Sequence, residues 1–169
     1  MDTNQQQQPA QASKSQRMAT VNTLLDGYGS LSVPRLLEPL AQNFEHHVLP
    51  ESLAMPPRNK ESFAHHAAGI FGVFDEFRMV PQSMVDDGAS GVVVVHAHMQ
   101  GVLKGGKGVW TNECIMMITL SDDGTQVVGV KEFVDSAKAM EMARKHKPKD
   151  FEAPTTNLGS EGPELGVVS

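Results

Sequence analysis

Apolar positions change their spacing once along the chain, and the change divides it into a helical half and a sheet half. In the first half they recur at steps of three and four. Val21, Leu24, Leu25 and Tyr28 predict a helix over residues 20–28, with Thr20 as a possible N-cap and Gly27 and Gly29 at its end. Ser32-Val-Pro-Arg starts a second, short helix carrying Leu36, Leu37 and Leu40, because serine caps and proline fits the first turn. Residues 44–49, closed by Pro50, read as a strand with His46 and His47 on opposite faces, and residues 52–58 as a proline-rich loop. Asn59 then caps the longest helix. Glu61 sits in its first turn, where the helix dipole favours an acid, and its buried face reads Phe63, His66, Ala67, Ile70 and Phe74.

From Phe77 onward the period becomes that of strands, over residues 77–85, 91–103, 109–120 and 125–134. Asp86-Asp-Gly, Lys104-Gly-Gly-Lys-Gly and Asp122-Asp-Gly-Thr separate them as turns, so four strands in series predict an antiparallel meander. Asp135 or Ser136 caps a last helix over 137–146, ended by Pro148. The fold class is therefore α+β, a curved antiparallel sheet with helices laid across one face and a cone-shaped cavity between the layers. Val92-Val-Val-Val and Ile115-Met-Met-Ile do not alternate with polar residues, so the outer face is expected to be covered too, most economically by a second copy in a homodimer.

Composition narrows this picture. A chain of 169 residues, 40% hydrophobic, suits one domain, placed at 18–147 between a Gln-rich tail (1–17) and a second tail (148–169), both too poor in apolar groups to offset the entropy of ordering. The net charge of −6, without a basic cluster beyond the short 138–149 region, argues against nucleic acid as a partner. The apolar runs are too short to span a membrane, no apolar leader precedes the core, and the single cysteine, Cys114, fits a reducing compartment; a cytoplasmic protein is expected. Within its apolar run Cys114 reads as a packed thiol.

The candidate chemistry centres on residues 127–136. Strand alternation puts Val128, Val130, Glu132 and Val134 on one face, and a carboxylate among valines is costly to bury unless it is paired, hydrogen-bonded or protonated. Desolvation would raise its pKa and suit it to general acid or base chemistry; the alternative is a structural ion pair with Arg58, Arg35 or a lysine. His46 and His66 are placed to move a proton against Glu132, although a histidine on an apolar face also serves as an ordinary core residue. Asn112 shares a strand face with Trp110 and could orient a substrate carbonyl, or bond to backbone near a turn. Arg58 could stabilise an oxyanion or form a surface ion pair. Phe63, Ile70 and Phe74 would supply the apolar wall. Asp135 is assigned to capping. His96 and His98 share a strand face, but no third ligand accompanies them at fixed spacing, so no metal is expected. The Lys104 to Gly108 loop lacks the spacing of a phosphate cradle.

Taken together, His46-His-Val-Leu-Pro-Glu-Ser-Leu, Pro56-Pro-Arg-Asn-Lys-Glu, Val93-Val-Val-His, Asn112-Glu and Glu132-Phe-Val-Asp-Ser resemble, in order and spacing, the small fungal members of the SnoaL-like branch of the nuclear transport factor 2-like superfamily. The resemblance runs over about residues 21–144. It implies a conical, helix-covered α+β barrel, usually dimeric, and cofactor-free acid/base chemistry on a small molecule. Two positions depart from the common pattern: Met55 where a basic or polar residue is frequent, and Trp110 where tyrosine is frequent, which replaces a phenol by an aromatic wall with one N–H. The function implied is a cofactor-independent isomerase or cyclase acting on a polycyclic or polyketide-like intermediate, with a non-catalytic binding or dimerisation module as the alternative. A dehydratase relying on paired tyrosines fits less well, since Tyr28 is the chain's single tyrosine.

Overall fold

The computed structural model describes residues 12–149; the remainder of both predicted tails lies outside the described residues. Its elements are α1 (Lys14–Gly29), α2 (Val33–Leu37), β1 (Leu40–Leu49), β2 (Arg58–Asn59), α3 (Lys60–Phe71), β3 (Phe74–Asp87), β4 (Val92–Leu103), β5 (Val109–Leu120), β6 (Val127–Val134) and α4 (Ser136–His146). The predicted meander forms as β3-β4-β5-β6. All its pairings are antiparallel.

The sheet as a whole is mixed, which corrects the antiparallel expectation. β1 lies parallel to β6, and β2 closes the other side of β1 antiparallel, giving the six-stranded order β2-β1-β6-β5-β4-β3. A parallel pair needs a long crossover, and here the crossover is nearly the whole core, from α3 through the meander. Register shifts in β1, β3 and at the β5–β6 pairing bend the sheet, and Pro81 lies on edge strand β3, where a missing N–H is tolerated.

α1 starts six residues before the predicted helix, with Ser13 as its N-cap accepting from the Gln16 amide at 3.1 Å. Thr20 is no cap; its hydroxyl donates to the Gly124 carbonyl at 2.6 Å, tying the helix to the β5–β6 turn. The extra turns belong to the fold because Arg17 donates from Nε and Nη2 to the two Asp86 oxygens at 2.6 and 2.7 Å. Predicted boundaries shift elsewhere as well: β1 begins at Leu40, and Phe74 belongs to β3, since α3 stops at Phe71. The caps of α3 and α4 form as expected. Asn59 accepts from Ser62, and Asp135 from Ala137 and Lys138, contacts worth about 1 kcal/mol each.

Two glycines permit close approaches that the layers need. A Cβ on Gly27 would stand 2.8 Å from the Leu36 Cα, where α1 crosses α2, and one on Gly101 would stand 2.3 Å from the Phe74 ring. The core lies between the helices and the inner sheet face, with Val93, Val95, Met116, Ile118 and Val130 at its floor. Apolar side chains also lie on the outer face, where Ile115 and Phe133 are register partners across β5 and β6 and remain 46% and 49% exposed. Among the described residues no helix is long and apolar enough to cross a membrane.

Candidate active site

Register brings the polar residues of the inner face together at one end of the sheet. Arg58 on β2 stands opposite His46 on β1, His46 opposite Val130 on β6, and in the next row Val48, Glu132 and Met116 face one another. His46 and Glu132 are therefore diagonal neighbours on one face. His46 Nε2 and Glu132 Oε2 share a hydrogen bond of 3.3 Å, with the histidine 1% and the glutamate 9% exposed. His46 Nδ1 is buried without a hydrogen-bond partner.

This pair lies in the wall of a cavity between the sheet and the helices. About 790 Å³ of space is free of atoms there, the open mouth included. His46, Phe63, His66 and Ile70 line it beside Glu132, and Phe74, Trp110 and Asn112 continue the wall. All of the predicted site residues except Arg58 thus meet at one cavity. Arg58 is 3% exposed beside His46, which rules out the surface ion pair considered from sequence, but it does not line the cavity.

The polar end is enclosed by aromatic rings. The His46 ring centroid lies 4.8 Å from that of Phe63 and 6.4 Å from that of His66. Across the cavity wall Phe74 packs against Phe77 and Trp110 at 5.1 and 5.7 Å, and Trp110 Nε1 is a buried donor without a protein partner. Asn112 is engaged by backbone: its Oδ1 accepts from the Glu113 amide at 2.7 Å and its Nδ2 donates to the Asp135 carbonyl at 3.5 Å. The amide thereby joins β5 to the cap of α4.

Sequence reasoning assigned Tyr28 to the core of α1 and missed its place in the cavity wall. Burial, and then the charge of Glu132, hold the phenol well above its ordinary pKa, so it stays a neutral hydroxyl donor. The signal was present, since Tyr28 ends the apolar stripe of α1 and is the residue whose polar tip needs a partner when buried. α4 supplies Ala139 and Met142 to the same wall. Cys114 is buried on the inner face opposite Val134, one row along from Glu132, and burial pushes its thiol up, in keeping with a packed side chain.

The outer face carries a second cluster. His98 on β4 is the register partner of Glu113 on β5, and His96 Nε2 and His98 Nε2 lie 2.6 and 3.6 Å from the same Glu113 oxygen. The third group that the spacing of His96 and His98 lacked is supplied by the neighbouring strand.

No protein-family model matches the chain. The protein named monooxygenase dmxR10 from Cryptosporiopsis sp. (strain 8999) is 27% identical over 119 residues, covering 70% of this chain and 79% of that protein. Among solved structures, BvnE pinacolase from Penicillium brevicompactum superposes with a TM-score of 0.73 at 18% identity, covering 79% of this chain and 96% of the other. A protein from Jannaschia sp. CCS1 named as SnoaL-like gives a TM-score of 0.61 at 20% identity over 80% and 94% of the two chains. The chain has the SnoaL-like, nuclear transport factor 2-like fold. In this SnoaL-like fold the cone stays open at the sheet edges, with β2 and β3 as its outermost strands.

Proposed function

We propose that the protein is a cofactor-independent acid/base catalyst of the isomerase or cyclase type, which rearranges a hydrophobic, polycyclic or polyketide-like intermediate inside the cavity. One observation carries this reading: the only buried carboxylate in the wall, among the described residues, is hydrogen-bonded to a buried histidine and opens onto free space. Glu132 takes a proton from the substrate, and His46, with Nε2 on that carboxylate, holds the pair's charge and orients it. Tyr28 and the Trp110 N–H are donors for the oxygen on which negative charge develops. His66 faces the same space as a second proton carrier. The likeness to a structure named pinacolase, itself a name for a rearrangement enzyme, supports the reaction class.

A second outcome is favoured by the relative named a monooxygenase. In that outcome the carbanion left when Glu132 removes a proton from an activated CH₂ reduces dioxygen to a carbon-bound hydroperoxide, whose O–O bond then breaks: one oxygen stays as the carbonyl and the other leaves as water with the two hydrogens of the CH₂. Product mass separates the two: rearrangement leaves it unchanged and oxygen insertion raises it. The non-catalytic binding module remains the competing class, and it predicts that the cavity holds its ligand without altering it.

The protein is further proposed to act as a homodimer joined through the outer sheet face, where exposed Ile115 and Phe133 invite cover. For the catalytic proposal, cells producing the Glu132→Gln variant in place of the natural chain accumulate this protein's substrate, while the variant stays folded. Unchanged product in those cells removes Glu132 from the mechanism.

A further inference from the structure

We propose that the outer face of the sheet holds a site for one divalent first-row transition-metal ion, ligated by His96, His98 and Glu113. The three come from the two central strands of the meander: His96 and His98 alternate along β4, and Glu113 is opposite His98 on β5. Their ligand atoms all lie within 4.8 Å of one another, and the two imidazole rings stand edge to face with centroids 5.6 Å apart. An ion placed among them needs only small side-chain rotations, because the carboxylate oxygen already contacts both Nε2 atoms. Metal replaces the shared proton of the His96 to Glu113 hydrogen bond.

The donor set selects the ion. Two neutral imidazoles and one carboxylate suit Zn²⁺, Cu²⁺ or Ni²⁺, whereas Mg²⁺ and Ca²⁺ prefer oxygen alone. In a single chain, side-chain exposures of 35%, 44% and 60% leave room for a hydrated ion to enter and to keep water in its remaining coordination position. The ligands share the outer face with Ile115, the register partner of His96, so in the proposed homodimer the ion sits at the seam between the copies. Strands hold the ligands more firmly than a loop would, and β3 and β6 flank the pair on either side. Ala97 and Cys114, next in sequence to these ligands, are buried on the opposite face, so the metal and the cavity occupy different sides of one sheet. This site is independent of the proposed catalysis.

The test is calorimetric titration of metal-stripped, tag-free full-length protein with zinc chloride, and separately with magnesium chloride, at neutral pH. Zinc is expected to saturate a site of about one ion per chain, with no comparable magnesium binding. His98→Ala and Glu113→Ala should each weaken zinc binding roughly tenfold or more, and should abolish the rise in melting temperature that zinc gives the natural chain. Absence of saturable zinc binding, or binding that both variants leave unchanged, overturns the proposal.

Discussion

Two histidine–glutamate groups sit on opposite faces of one sheet, and the same residue types are put to different use by what surrounds them. On the inner face the His46 and Glu132 side chains are 1% and 11% exposed, against the apolar wall of a cavity. On the outer face His96 and Glu113 are 35% and 60% exposed, and their contact is shorter, 2.6 Å against 3.3 Å. The tighter contact is the less consequential one for proton transfer. In water a charge pair is screened and a proton has many other destinations, so the outer group has chemistry mainly toward an ion. Removed from water, the inner pair exchanges its proton only with itself or with whatever enters the cavity, and its field is not screened. Strand alternation decides the difference, since one residue's shift exchanges the faces.

The sharpest way to break this contrast uses neighbouring histidines on opposite faces of β1. His46→Gln is expected to lower turnover about a hundredfold or more, in the range of general acid–base contributions, while His47→Gln, whose partner is the exposed Glu45, leaves it unchanged. Circular dichroism checks that both remain folded; equal losses in the two would erase the distinction between the faces. A smaller effect is expected in stability. Gly101→Ala drives a methyl group into the Phe74 ring on the inner face and should cost about 1–3 kcal/mol in urea unfolding. Gln100→Ala, one residue away on the outer face, should stay within about 0.5 kcal/mol.

The smallest effect concerns a charged pair that faces neither site. Arg17, hydrogen-bonded to Asp86, holds that carboxyl below its ordinary value of 3.8. A depressed folded-state pKa means that the contribution is fully present above the unfolded value and is lost as pH falls through the folded one. The melting-temperature difference between the natural chain and Asp86→Asn should therefore be constant above pH 3.8 and shrink below it. A difference that grew as pH fell would contradict the assignment.

What could be read from sequence follows how local each feature is. The meander was legible because Asp-Gly turns and a period of two are short-range signals, and so were the caps at Asn59 and Asp135. The start of α1 was not, since the Lys14 to Arg17 turn is held by a partner 69 residues away. The parallel β1–β6 pairing was illegible for the same reason, and it is the pairing that sets His46 diagonal to Glu132. Glu113 is an intermediate case. The β4–β5 hairpin pairs Val102 with Val109 and continues without a bulge to His98 and Glu113, so counting back from the Lys104 to Gly108 turn would have found it. Glu132 and His46 were found because a polar group on an apolar face is visible in any alternating strand, whereas Tyr28 hid within a stripe that helix packing already explained.

The central claim, that the buried Glu132 moves a proton on a molecule held in the cavity, is tested most directly by following the reaction in deuterated water. With the natural chain the product should carry solvent deuterium at the carbon that gains a proton in the rearrangement, and Glu132→Gln, folded and still binding the substrate, should form that labelled product at a rate reduced by a factor on the order of a hundred or more. Labelled product formed by Glu132→Gln at the natural rate would contradict the account.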